Sequence, residues 1–154
     1  VDTDLPSALD DCNKEGRTVA ASLPRVSFMH WVMVDITAQN GSLDEGECSS
    51  GITAGGKRNP KGPAGSRQGL NDYTGFMASN AEMAGQYFGY DGPCPPWNDE
   101  LVHHYRFKLF ALSTNRLELE NDYTAMDAIR AMRPHIIDQV ELTGTYTLAP
   151  ELRG

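Results

Sequence analysis

The sequence has few basic residues for its length and an excess of acidic ones. Lys and Arg number 13 against 21 Asp and Glu, which gives a formal net charge of −8 over 154 residues. Binding to nucleic acid usually needs clustered Lys and Arg, because the contacts to phosphate groups are made by cations. The charge balance therefore predicts that nucleic acid is not a partner.

Long apolar runs are also missing. No stretch approaches the roughly 20 apolar residues that a helix needs to cross a bilayer. The first residues, Val1-Asp2-Thr3-Asp4, are acidic, which is unlike a signal peptide. We therefore expect no integral membrane association.

Cysteine is scarce. Cys12, Cys48 and Cys94 are odd in number and widely spaced, and they include no CxxC pair. This pattern is typical neither of a disulfide framework nor of a zinc knuckle. It predicts reduced thiols and a cytoplasmic location.

What the sequence does contain is the alternation of apolar and polar residues that is typical of β-strands. Residues 26–36 alternate with His30 on their apolar face, and residues 103–113 alternate with His103 and Tyr105 on the more apolar face. Residues 140–148 alternate as well and are rich in Thr and Tyr, which favour extended backbone. We predict three strands, two of which carry an inward histidine.

One helix is expected between the second and third of these strands. Thr124-Ala125-Met126-Asp127 resembles a capping box, and Met126, Ile129 and Met132 follow at helical spacing until Pro134. The pattern predicts one short helix, with a second turn reaching Gln139.

The rest of the sequence reads mainly as loop. Residues 1–25 mix Asp, Asn, Gly and Pro, residues 39–72 are rich in Gly, Pro and Ser, and residues 85–96 combine aromatics with Gly and Pro. Parallel sheets need regular helical crossovers, which are absent here, so the strands indicate an antiparallel sandwich. The length fits a single domain over residues 1–154.

Four groups of residues could converge on one site: the acidic start with Asp2 and Asp4, the inward His30, the stiff loop of residues 92–96, and His103 with Tyr105. A histidine paired with a carboxylate holds its proton more tightly, and hydroxyl and backbone N–H groups can add hydrogen bonds. This combination suits a phosphate-like anion.

The same residues resemble motifs of the phosphatidylethanolamine-binding proteins, especially of their bacterial Raf-kinase-inhibitor-like branch. Residues 2–6 (DTDLP) look like the DPDAP motif of that family, and His30-Trp31 looks like its buried histidine before an aromatic. Residues 92–96 (GPCPP) and 103–105 (HHY) are similar to its GPxPP and HRY motifs.

The resemblance implies an antiparallel Greek-key β-sandwich, mainly β, with one or two short C-terminal helices. It also implies a non-enzymatic protein without cofactor or metal, which binds a small anion or a phospholipid head group, modulates a partner protein or kinase, and forms a homodimer. The ligand-binding residues that it implies are Asp2, Asp4, His30, Gly92, Pro93, Cys94, Pro96, His103 and Tyr105.

Three departures from the family pattern are visible. Thr3 stands in place of the proline of DPDAP, and His104 in place of the arginine of HRY. The sequence also begins where family members have already completed several dozen residues. We therefore expect a fragment, a nicked product or a partial sequence, lacking the N-terminal strands of the sandwich.

Two other functions are kept open. Asp2, His30 and His103 could bind a metal or share a proton in a hydrolase, since Asp and His serve as metal ligands and as acid–base groups. Alternatively, the pocket is vestigial and the loop of residues 39–72 contacts a protein partner. Cys94 is better explained as a small residue in a tight proline turn than as a nucleophile, since an activating imidazole cannot be identified from the sequence.

Overall fold

The structure is a computed structural model that describes residues 1–37, 43–48, 52–58 and 60–153. It is mainly β, with antiparallel strands and few short helices, which confirms the predicted fold class. The elements in chain order are β1 (Asp2–Pro6), β2 (Arg25–Phe28), β3 (Met33–Val34), β4 (Arg67–Gln68), α1 (Tyr73–Phe76), β5 (His103–Leu112), α2 (Ala125–Met132) and β6 (Ile136–Tyr146), with single 3-10 turns at Arg133–His135 and Pro150–Leu152.

Four strands form the main sheet, in the order β2-β1-β5-β6, and β3 pairs with β4 in a separate two-stranded sheet. Strand β1 is antiparallel to both of its neighbours. Asp2 lies opposite Phe28 of β2 and opposite Tyr105 of β5. This register brings the acidic start of the chain beside the histidine-bearing start of β5.

The chain divides into two compact units. The first unit comprises Val1–Phe28, Pro93–Leu109 and Val140–Gly154, and the second comprises Met29–Gly92 and Phe110–Gln139. The second unit has its own apolar cluster, in which buried residues from β3, α2 and the segment between β5 and α2 pack together: Val34, Leu117, Tyr123 and Ala128.

The strand predicted for residues 26–36 is wrong in its middle. It divides into β2 and β3, and His30 lies between them, outside any strand. The backbone of Met29 is hydrogen-bonded to Asp72 through both its N–H and its C=O, and the carbonyl of His30 accepts from the N–H of Asp91. Because these partners are loop residues, alternation along the strand could not reveal them.

The other sequence-based elements agree with the structure to different degrees. The predicted strand of residues 103–113 is confirmed as β5, and α2 begins with a complete capping box between Thr124 and Asp127. The predicted second helical turn to Gln139 is wrong, since β6 already starts at Ile136. The first 25 residues are mostly loop, as predicted, but they also contain β1 and the first residue of β2.

Part of the predicted long loop lies outside the described residues, namely residues 39–42, 49–51 and 59. Its described part contains β4 and otherwise no helix or strand. Among the described residues, no helix is long and apolar enough to cross a membrane. That the chain is a single domain lacking N-terminal strands stays a prediction.

Candidate functional site

His103 is the most completely enclosed of the predicted site residues in the first unit. It begins β5, and its side chain has no exposed surface. Its Nδ1 lies 2.8 Å from Oδ2 of Asp2, and its Nε2 lies 3.1 Å from Oδ2 of Asp99. With both carboxylates ionised they can only accept hydrogen bonds, so that both ring nitrogens donate and the ring is an imidazolium.

Asp99 is held in turn by Arg25 of β2. Its two oxygens accept from the guanidinium at 2.6 and 2.9 Å, a bidentate pair, and Oδ1 also accepts from the N–H of Leu101 at 2.9 Å. Such forked pairs fix geometry as well as charge. Asp2, His103, Asp99 and Arg25 thus form a buried line of alternating charges, which we call the ion-pair chain.

The pKa shifts agree with this geometry. Burial disfavours the charged ring, but the hydrogen bonds and charges of Asp2 and Asp99 outweigh burial and raise the pKa of His103. Burial likewise works against an ionised Asp99, but the hydrogen bonds from Arg25, Leu101 and His103 lower its pKa. The ion-pair chain therefore stabilises its own charged state.

Asp2 and Asp4 have different environments although both belong to β1. Asp2 is buried, and its Oδ1 accepts the backbone N–H of Asp4 at 2.8 Å. Asp4 accepts from the backbone N–H of His104 at 2.8 Å and from the ring of His104 at 3.1 Å. His104 is exposed on the opposite side of β5 from His103, as the alternation predicted.

Tyr105 and residues 93–96 of the proline-rich loop belong to the same unit as His103. The ring of Tyr105 is buried and stacks on His103, with 6.4 Å between the ring centroids. In the loop, Pro96 is buried, whereas Pro93 and Cys94 are exposed. Cys94 therefore lies at the surface, and its interpretation as a small residue in a proline turn stays a prediction.

In the second unit, His30 and Gly92 contact each other closely. Nδ1 of His30 donates to the backbone carbonyl of Asp91, which fixes the ring tautomer. Gly92 has a φ of +137°, and a Cβ at this position would lie 2.6 Å from Nδ1 of His30. Only glycine allows both this backbone conformation and this close approach.

Asp91 is the centre of a second polar cluster that sequence reasoning missed. Its fully buried carboxylate lies 2.9 Å from Nζ of Lys57 and accepts from the side chain of Asn71 at 2.7 Å. Nζ of Lys57 also donates to the carbonyl of Tyr90 at 2.7 Å. These contacts hold the loop whose backbone bonds to His30.

The structure therefore groups the predicted site residues in two sets. Asp2, Asp4, Pro93, Cys94, Pro96, His103 and Tyr105 belong to the first unit, and His30 and Gly92 belong to the second. Sequence reasoning missed Arg25 and Asp99 in the first unit. Asp99 is one of 21 acidic residues, and its position four residues before His103 is the one sequence signal that could have found it.

Within the described residues, no group of three His, Cys, Asp or Glu residues is arranged to hold a metal ion. Cys12, Cys48 and Cys94 are all free thiols.

A family model identifies the protein class. The model described as phosphatidylethanolamine-binding protein matches residues 2–147. The chain belongs to the phosphatidylethanolamine-binding protein family.

Two similar proteins come from an archaeon and a bacterium. A UPF0098 protein of Methanothermobacter thermautotrophicus is 33% identical over 123 residues, which is 80% of this chain and 65% of that protein. A UPF0098 protein of Aquifex aeolicus is 34% identical over 125 residues, covering 80% of this chain and 58% of that protein. The chain thus spans less than two thirds of the length of these relatives.

A solved structure supports the same assignment. The crystal structure of Escherichia coli YbcL, described as a new member of the mammalian PEBP family, matches with a TM-score of 0.57 and 28% sequence identity. The match covers 78% of this chain and 61% of YbcL. The phosphatidylethanolamine-binding protein fold is therefore shown both by sequence and by structure.

Proposed function

We propose that this protein binds a small anion, such as a phosphate or the phosphorylated head group of a lipid, at the start of β5, without catalysing a reaction. The observation that carries the proposal is His103. A side chain with no exposed surface carries a positive charge there, because both of its ring nitrogens donate to carboxylates. A charge fixed inside the protein acts on a ligand in surroundings less polar than water, where it is screened less.

Three further features support this proposal. Tyr105 stacks on the charged ring, and tyrosine hydroxyl groups bind phosphate oxygens readily. The loop with exposed Pro93 and Cys94 lies in the same compact unit. The family to which the chain belongs is described as phosphatidylethanolamine-binding, and the head group of that lipid carries a phosphate.

Since both N–H groups of His103 are already used, the ring would act on an anion only through its charge, which Asp2 and Asp99 partly offset and to which Arg25 adds. Hydrogen bonds to the ligand would come from Tyr105 and backbone N–H groups. Among the described residues, no contact favours the alternative of a metal-dependent hydrolase. Modulation of a protein partner, a homodimer and a cytoplasmic location stay predictions from the sequence.

Calorimetric titration with inorganic phosphate and with phosphoethanolamine tests the proposal. Binding should be lost in His103→Gln and weakened in Tyr105→Phe, which removes one hydroxyl and keeps the ring. His104→Ala is the matched control, because His104 is the next residue and its exposed side chain lies on the other side of β5. No binding to the unmodified protein, or equal binding by His103→Gln, would overturn the proposal.

Both ligands are needed, because they separate the two sources of the phosphate group. Equal affinity for inorganic phosphate and phosphoethanolamine would identify the phosphate alone as the recognised group. Tighter binding of phosphoethanolamine would identify a head group.

A further inference from the structure

The ion-pair chain contains two residues, Asp99 and Arg25, to which the proposed function gives no contact with the ligand. Asp99 lies in the turn that precedes β5, and Arg25 begins β2. Neither belongs to the motifs that predicted the anion site. Their contacts, however, determine the protonation of His103.

A neutral imidazole has one donor and one acceptor nitrogen. If His103 were neutral, one of its nitrogens would present a lone pair to a carboxylate at 2.8 or 3.1 Å. In a site with no exposed surface, water cannot relieve this repulsion. Removal of one carboxylate would allow the neutral ring to satisfy both of its nitrogens.

Asp99 can play this role only if it stays ionised and oriented. Three donors achieve this: the two arms of Arg25 and the N–H of Leu101. The turn itself is fixed by Val19, whose N–H donates to Asn98 at 3.0 Å and whose carbonyl accepts from Glu100 at 3.1 Å. The carboxylate is thus held in place before it meets the histidine.

We propose that Asp99, anchored by Arg25, is a positioning residue that keeps His103 in its doubly donating, charged form and thereby sets the pH range over which the site attracts an anion. This inference rests on the proposed function for its second half only. The groups that face the His103 ring are Asp2 from β1, Asp99 from the turn and Tyr105 from β5 itself, with Arg25 of β2 acting through Asp99.

The sign of the pH effect follows from these charges. The hydrogen bonds and charges of Asp2 and Asp99 raise the pKa of His103 despite its burial, so the ring keeps its proton to higher pH than a free imidazole does. Replacing Asp99 by Asn removes one of the two negative charges that raise this pKa, and the ring should lose its proton at lower pH. Anion affinity should then fall at lower pH than in the unmodified protein.

The first measurement is long-range 1H–15N NMR of the histidine rings as a function of pH, with His103 assigned through His103→Gln. Asp99→Asn should move the titration of His103 to lower pH by a tenfold or larger change in proton affinity, about one pKa unit. Arg25→Lys keeps the charge but cannot form the bidentate pair with Asp99. It should move the titration of His103 in the same direction by a smaller amount. Arg25→Lys also keeps the test decisive if Asp99→Asn fails to fold.

Asp11→Asn is the matched control. Asp11 pairs with Arg17 at 3.7 Å, and both side chains are more than half exposed. This substitution removes the same charge from the same unit and should leave the His103 titration unchanged. An unshifted titration in both Asp99→Asn and Arg25→Lys would overturn the inference.

The second measurement is the affinity for sulfate, whose charge does not change between about pH 5 and pH 9, where histidines titrate. In Asp99→Asn the affinity should match or exceed that of the unmodified protein near pH 5 and fall about tenfold by neutral pH. A loss that is equal at every pH would indicate a merely structural role and contradict the inference. If the unmodified protein binds neither sulfate nor phosphate, the proposed function fails, while the NMR titration still decides the role of Asp99.

Discussion

The start of β5 and the adjacent strand β6 belong to the same four-stranded sheet, but they expose opposite kinds of side chain. At the start of β5, the charged residues Asp99 and His103 have fully buried side chains. Every residue of β6 is exposed, and its apolar residues Val140 and Leu142 are 63% and 70% exposed. In this sheet, burial does not follow polarity.

The two regions differ because the buried charged side chains have partners of opposite charge. The buried charges neutralise each other in a chain of four residues, which offsets the loss of water around them. Within the described residues, no layer of other side chains covers the apolar side chains of β6. Phe107 and Leu109 of β5, which the alternation places on the same face as Val140 and Leu142, are exposed as well.

The salt bridges between these strands agree with that assignment. Arg106 and Lys108 lie 3.6 and 3.4 Å from Glu141, so these three charged side chains share one face of the sheet. The residues between them in each strand point to the other face. One strand pair thus has a charged face and an apolar face, while the first residues of β5 are enclosed.

The largest effect is expected from removing the centre of the ion-pair chain. His103→Leu keeps the volume of the side chain approximately but leaves Asp2 and Asp99 without their shared donor. Breaking a buried ion pair costs about 3–5 kcal/mol of the free energy of unfolding. Urea denaturation monitored by fluorescence measures this loss.

His104→Leu is the control for this change, since it alters the neighbouring exposed residue. Exposed pairs such as His104 with Asp4 contribute at most about 1 kcal/mol. A loss in His103→Leu as small as in His104→Leu would show that the buried charges are not paired in solution. The start of β5 and the exposed strand β6 would then no longer differ in how much their side chains contribute to stability.

A second comparison uses glycines, with the close-packed Gly92 set against Gly144 of β6. Gly92→Ala would place a Cβ 2.6 Å from the His30 ring at a φ of +137°, and such strain and overpacking together cost about 2–4 kcal/mol. At Gly144 an added Cβ meets nothing within 4 Å, and alanine should be neutral or stabilise the strand by about 0.5–1 kcal/mol.

Thermal unfolding of both glycine variants, side by side, is the measurement. The melting temperature should fall in Gly92→Ala and stay constant or rise in Gly144→Ala. The reverse order would contradict the packing described for the two positions.

The sequence predicted those features whose determinants are local. Alternation located β5 and the inward His103, and the capping box located α2, because these patterns lie within about ten residues. It could not divide residues 26–36 into β2 and β3, since the bonds that interrupt the strand come from Asp72 and Asp91. Asp99 and Arg25 were missed for the same reason, because they meet across 74 positions of the sequence.

Family motifs and physical pattern also contributed differently. Alternation alone placed His103 on the more apolar face, whereas no periodicity selected Asp2 and Asp4, which were chosen as an acidic pair at the start of the sequence and by their resemblance to a family motif. The structure brings Asp2 to His103 through the pairing of β1 with β5, which local sequence does not encode. The exposure of β6 was not predicted either, because alternation shows which residues share a face but not whether that face is covered.

The smallest change in stability is expected for a substitution on the exposed apolar face of β6. It tests whether this face is exposed in solution. Leu142→Thr replaces a side chain that is 70% exposed by a residue that favours strands, so the free energy of unfolding should change by less than about 0.5 kcal/mol. Leu117→Thr, at a leucine that is 3% exposed in the second unit, should cost about 2–5 kcal/mol, as large-to-small core substitutions do. Urea denaturation of both variants at two protein concentrations provides the readout. If Leu142→Thr destabilises the protein as much as Leu117→Thr, the face is covered in solution, and a dependence on protein concentration would show that a second copy covers it.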